Sequence, residues 1–114
     1  MGEHIIKVRC RDGIWITGTI DSHVFGAKVC DEKSGFGIDG GRVIKLFVNC
    51  MYTGREAIGY ERGWDKLPSS QEYCDILDAI LLFCEGLPAQ EIWRQALRKE
   101  RFFLVTEDGV LEFE

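Results

Sequence analysis

As far as about residue 62, apolar side chains come in short runs of period two, punctuated by glycines and turn-forming dipeptides. Residues 4–10 and 14–20 are rich in β-branched side chains. Arg11-Asp12-Gly13 separates them, and its Asp-Gly step favours a tight hairpin. In Trp15-Ile16-Thr17-Gly18-Thr19 the alternation loosens at Gly18, which implies a bulge or a close approach of another backbone. After a turn at Asp21-Ser22, residues 24–30 set Val24, Gly26, Lys28 and Cys30 on one face and Phe25, Ala27 and Val29 on the other. A loop crowded with Gly35, Gly37, Gly40 and Gly41 precedes the next strand, 43–50, and a last one covers 57–62. Short strands joined by short turns imply an antiparallel meander.

Past Pro68 the period changes. Ser69 and Glu72 have capping-box spacing, so a helix starts near Ser69 or Ser70. Tyr73, Ile76, Leu77, Ile80, Leu81 and Cys84 then form one apolar stripe of period 3.6, ending at Gly86. Pro88 suits the first turn of a second helix over 88–99, with Ala89, Ile92, Trp93, Ala96 and Leu97 on one side. Residues 102–106 and 110–113 flank Glu107-Asp108-Gly109 as a closing hairpin. The expected architecture is α+β, one domain over 1–114. It comprises an antiparallel β-meander (1–67), two C-terminal helices packed on it (68–101), and the hairpin (102–114). Leu82, Phe83 and Leu87 widen the first helix's apolar surface beyond a stripe, so either the second helix and hairpin cover it or a second subunit does, giving a homodimer.

Composition narrows the class. With 46% hydrophobic and 29% charged residues the chain is an ordinary globular one, and no apolar run approaches the ~18 residues of a membrane span. The start, Met1-Gly2-Glu3-His4, lacks the pattern of a secretory leader, which places the expected location in the cytoplasm. A net charge of −5 argues against general nucleic-acid binding, which needs a basic surplus. The five cysteines, Cys10, Cys30, Cys50, Cys74 and Cys84, are widely spaced with no Cys-x-x-Cys pair. That spacing suits neither a disulfide framework nor a zinc site, and four of them among apolar neighbours read as small core hydrophobes.

Gly35-Phe36-Gly37-Ile38-Asp39-Gly40 matches the literal Gly-x-Gly-x-x-Gly string. Its mechanism requires a helix N-terminus after the loop, whereas residues 43–48 read as a strand, so a dinucleotide site is rejected. The loop retains another possibility. Gly40 and Gly41 can turn backbone N–H groups toward an anion, with Arg42 and Lys45 close behind, and Arg62 and Trp64 adding a guanidinium fork and a stacking surface. Gly40, Gly41, Arg42, Lys45, Arg62 and Trp64 are therefore the candidate site for a nucleotide-like anion, set against plain turn chemistry. Arg94, Arg98 and Arg101 recur at helical spacing as a basic stripe. No catalytic motif is present, and only two histidines, His4 and His23, could serve a cysteine nucleophile, for instance His23 beside Cys10 or Cys30. A non-enzymatic protein is expected, with no catalytic residue, metal or cofactor implied; a cysteine-dependent enzyme is the weakest alternative.

Residues 15–19, 25–29, 35–46 and 60–65, followed by a helix, have an order similar to a family of small uncharacterised proteins of bacteria and their phages and prophages. The resemblance covers about residues 14–84. It brings no functional residues with it, but it implies a phage-type binding protein that inhibits a host protein of antiviral defence or sequesters a nucleotide-like signal molecule.

Overall fold

The computed structural model describes residues 2–89 and 100–113. Six strands run consecutively: β1 (His4–Asp12), β2 (Trp15–Ile20), β3 (His23–Val29), β4 (Val43–Cys50), β5 (Glu56–Glu61) and β6 (Trp64–Lys66). Helix α1 (Gln71–Glu85) follows, then β7 (Arg101–Thr106) and β8 (Gly109–Phe113). All eight strands form one antiparallel sheet in the order β6-β5-β4-β3-β2-β1-β7-β8.

This corrects the expected meander packed against two C-terminal helices. Among the described residues there is one helix. The last two strands do form the expected hairpin, and it joins the same sheet, because β7 pairs with the free edge of β1, from His4↔Val105 to Val8↔Arg101. The period-two pattern of a strand states which face is buried but not which neighbour lies beside it. With β1 first in the meander, its outer edge had to find a partner late in the chain. Pro88 and Ala89 are irregular, residues 90–99 of the expected second helix lie outside the described residues, and Arg101 opens β7 instead of ending a basic helical stripe.

Helix α1 lies against β4 and β5 toward one end of the sheet and against β7 and β8 at the other, so the sheet curves around it. Its inward side buries Ile76, Ala79, Ile80, Phe83 and Cys84. From the strands come Ile6, Val8, Ile16, Ile20, Phe25, Val29, Leu46, Val48 and Ile58, all at most 1% exposed. The extra apolar side of the helix is met within the chain at Phe83, whose ring packs 4.8 Å from that of Phe103 on β7, and Leu87 is buried too, whereas Leu82 stays 38% exposed.

Local chemistry sets the helix limits. Ser70 is the N-cap, its hydroxyl accepting from the Tyr73 N–H, so the cap falls one residue after the Ser69–Glu72 box. At the other end Gly86 has φ −94°, outside the left-handed region, and the last carbonyls are satisfied by a side chain from another part of the chain.

The expected close approach at Gly18 is present. Gly18 lies opposite Val8, where the β1–β2 register shifts between Val8 and Cys10, and a Cβ there would fall on the Lys7 carbonyl oxygen.

Candidate functional site

The side chain that finishes α1 is Arg42, the residue before β4. Its Nε donates to the Cys30 carbonyl at 2.7 Å, and its Nη1 to the carbonyls of Glu85 at 2.9 Å and Leu87 at 2.7 Å. The Arg42 backbone N–H donates to Glu85 Oε2 at 2.8 Å, and Gly41 lies so close to that carboxylate that a Cβ would overlap it. The N–H groups of Gly40 and Gly41 are spent inside the turn, on the Gly37 and Ile38 carbonyls, and the one N–H offered to an anion here is that of Arg42, the anion being Glu85 of the same chain. Gly40 has φ 70°, in the left-handed region, at the end of the 3-10 turn Ile38–Gly40. Beside it, between turn and helix, runs a cleft of about 390 Å³ walled by Ile38, Leu81 and Leu82 with Lys33, Asp39 and Glu85 at its mouth.

Lys45 and Arg62 are placed elsewhere, on the side of the sheet away from the helix. Cross-strand register puts Trp15, Lys28, Lys45 and Glu61 in one row across β2, β3, β4 and β5. Both lysine ammoniums lie over the indole of Trp15, Lys28 Nζ 5.1 Å and Lys45 Nζ 5.5 Å from the ring centroid. The β5–β6 turn sets Arg62 beside them. The Arg62 N–H donates to the Ile44 carbonyl, and its φ of 56° is one that few side chains adopt. Lys28, Ile44, Lys45, Glu61 and Arg62 line a depression of about 110 Å³. The one carboxylate there, Glu61, accepts from Lys45 Nζ at 3.3 Å and is 61% exposed, so the pair is weak. Arg62 also holds its guanidinium 5.7 Å from the ring of Phe36, whose carbonyl accepts from the Tyr60 hydroxyl at 2.8 Å. Trp64 stands edge-on to Tyr60, at 5.0 Å between centroids, and is 40% exposed.

The six candidate residues thus divide. Gly40, Gly41 and Arg42 serve the junction of loop and helix; Lys45 and Arg62 share the outer depression; Trp64 lies on β6 at the sheet's edge. Sequence reading missed Trp15 and Lys28. The available signal was that Lys28 and Lys45 both occupy outward positions of period-two strands, but only the register makes them neighbours.

Histidine and cysteine are not arranged as expected. His23 is cross-strand from Cys50, and about 23 Å of strand separates it from Cys30 at seven residues' remove. It is buried, with its ring edge-on to Tyr73. Of the cysteines only Cys84 is fully buried. Cys10 is exposed and the other three are intermediate, which corrects the reading of four core cysteines. Burial pushes the Cys84 thiol up to about 12, whereas hydrogen bonds from the Thr53 side chain and then from the Thr53 and Tyr52 backbone lower that of Cys50. An aromatic disulfide reagent at mildly alkaline pH is therefore expected to label Cys10 and Cys50 in the native protein and Cys84 only on unfolding, as read by peptide mass spectrometry. Early labelling of Cys84 would contradict the packing of α1. Among the described residues, no group of three or more His, Cys, Asp or Glu side chains is placed to hold a metal ion.

Residues 14–85, from the start of β2 to the end of α1, match the family model described as a domain of unknown function (DUF7678). The chain belongs to the DUF7678 family. No curated protein and no solved structure matches it. The DUF7678 match takes in the contiguous block β2–β6 with α1, and hence the whole Trp15, Lys28, Lys45 and Arg62 cluster. Strands β1, β7 and β8 lie outside it. Among the described residues no helix is long and apolar enough to cross a membrane.

Proposed function

We propose that this DUF7678 protein is a non-enzymatic binding protein of the phage or prophage type, and that it captures a nucleotide-like anion at Trp15, Lys28, Lys45 and Arg62. One observation carries the proposal: three cations against a single carboxylate line one small depression, with the indole of Trp15 under two of them, in a protein whose net charge is −5. Lys28 and Lys45 are directly opposed across β3 and β4. Like charges in that position destabilise a sheet by a few tenths of a kcal/mol to about 1 kcal/mol; the exposed Glu61 and the Trp15 ring offset part of this, and a bound anion would relieve the rest. Arg62 supplies the planar fork that suits a phosphate or carboxylate, and the exposed ring of Phe36 beneath it offers a stacking surface. Sequestering such an anion is the form of host-defence inhibition that this surface supports.

Native mass spectrometry of protein purified gently from cells, followed by calorimetric titration with a nucleotide panel and inorganic pyrophosphate, tests the proposal. Binding should weaken as salt rises. Lys45→Ala and Arg62→Ala should each reduce affinity by at least about tenfold. Lys28→Gln should do the same while changing stability by less than about 0.5 kcal/mol, since it also relieves the lysine pair. Absence of binding across the panel, or affinities that survive all three substitutions, would refute an anion site here.

A further inference from the structure

Strand β8 is an edge of the sheet, and among the devices that keep edges apart it lacks proline, lysine and a bulge. Its pairing with β7 is unbroken from Phe102↔Phe113 to Thr106↔Gly109. Its apolar side chains are open to solvent, with Leu111 64%, Val110 41% and Phe113 38% exposed. Its one carboxylate among these residues, Glu112, is engaged by the guanidinium of Arg101 on β7. On the face of the sheet away from α1, Leu111 continues a row with Leu104 and Ile5, and Phe113 a row with Phe102 and Lys7.

We propose that two copies of this chain associate through β8, pairing antiparallel about a two-fold axis at Leu111. The backbone register permits this pairing. The two-residue loop Glu107-Asp108 makes Thr106 and Gly109 the closing hydrogen-bonded pair of the hairpin. Alternation then turns the N–H and C=O of Val110 and Glu112 to the free edge. With Leu111 facing its own copy, Val110 of each chain lies opposite Glu112 of the other, and the edge groups close about four main-chain hydrogen bonds. Side-chain shape fits the same register. Phe113 falls opposite Gly109 of the other copy, whose Cβ position is open space. The fold already uses that device, since the ring of Phe47 lies over Gly26 across β3 and β4. Ile5, Leu104 and Leu111 from both copies would then form one unbroken apolar stripe over two joined sheets. An extended peptide of a foreign protein could add to the edge, but it would lack the glycine that receives Phe113.

The interface is small, so a dimer dissociating in the micromolar range is expected. Sedimentation over a concentration series, from micromolar to millimolar, tests it on the native chain and on Leu111→Lys and Leu111→Glu. Leu111 is solvent-exposed, so both variants should fold. Each alone places like charges on the axis and should weaken association at least about a hundredfold, while an equimolar mixture of the two should associate again. In the native dimer, slowed amide exchange should appear at Val110 and Glu112. Native protein that stays monomeric throughout would overturn the proposal and leave the edge to a foreign strand. A native dimer indifferent to both variants would overturn it by placing the interface elsewhere.

Discussion

Arg42→Met is expected to destabilise the protein by about 3–5 kcal/mol, the largest effect of any single surface-adjacent substitution considered. The Arg42 guanidinium is the only side chain reaching the Cys30, Glu85 and Leu87 carbonyls, as far as the described residues extend, and two of those carbonyls belong to the end of α1. That helix has no basic residue in its own last turn, so Arg42 also supplies the positive charge that its C-terminus favours. Methionine keeps most of the stem's volume, and the backbone N–H that binds Glu85, but leaves three carbonyls without their donor. Arg42→Lys restores the charge as a single point, which cannot reach carbonyl acceptors in three directions, and should recover less than half of the loss. Urea denaturation followed by circular dichroism measures both. A loss below about 1 kcal/mol for Arg42→Met would mean that the loop and helix end are held by something else. Under conditions where the variant is folded, affinity at Lys28, Lys45 and Arg62 should change little, because Arg42 lines the other side of β4's first residues.

Gly18→Ala comes next, at about 2–4 kcal/mol, although alanine is usually a mild substitution. The added methyl would meet the Lys7 carbonyl oxygen, backbone that belongs to a buried strand and cannot swing aside as a side-chain tip can. Relief requires β1 and β2 to part at the bulge beside Val8, in the middle of the sheet. Gly35→Ala is the control: its Cβ position is open and its φ is unrestricted, so its effect should stay within about 0.5 kcal/mol. Thermal unfolding of both variants by calorimetry decides the matter. Equal stabilities would show that β1 accommodates a side chain at Gly18.

Much of the fold was legible in local pattern. The run 43–50 was read with the limits that β4 has, the stripe from Tyr73 to Cys84 is the side of α1 that meets the core, and Gly18 marks a close backbone approach. Each of these depends on interactions within a few residues or on a face that must leave water. Strand β6 escaped notice because Trp64, Asp65 and Lys66 are exposed and too few to show alternation. The candidate site was legible in residue type only. Arg42 looked like a ligand group because a guanidinium that binds helix carbonyls and one that binds phosphate are the same residue in a sequence. Glu85, 43 residues away, is what distinguishes them.

The sequence by itself determined most of the strand and helix faces that meet the core, where the chain turns, and that an amphipathic helix begins just past Pro68, because periodicity and turn chemistry are local. Tertiary structure alone decided that β7 would close on β1, that Glu85 would occupy the glycine loop, and that Trp15, Lys28, Lys45 and Arg62 would meet. Those outcomes depend on strand order and register. Pairing energies between alternative neighbours differ little strand by strand, and only the burial of the whole sheet around α1 selects among them.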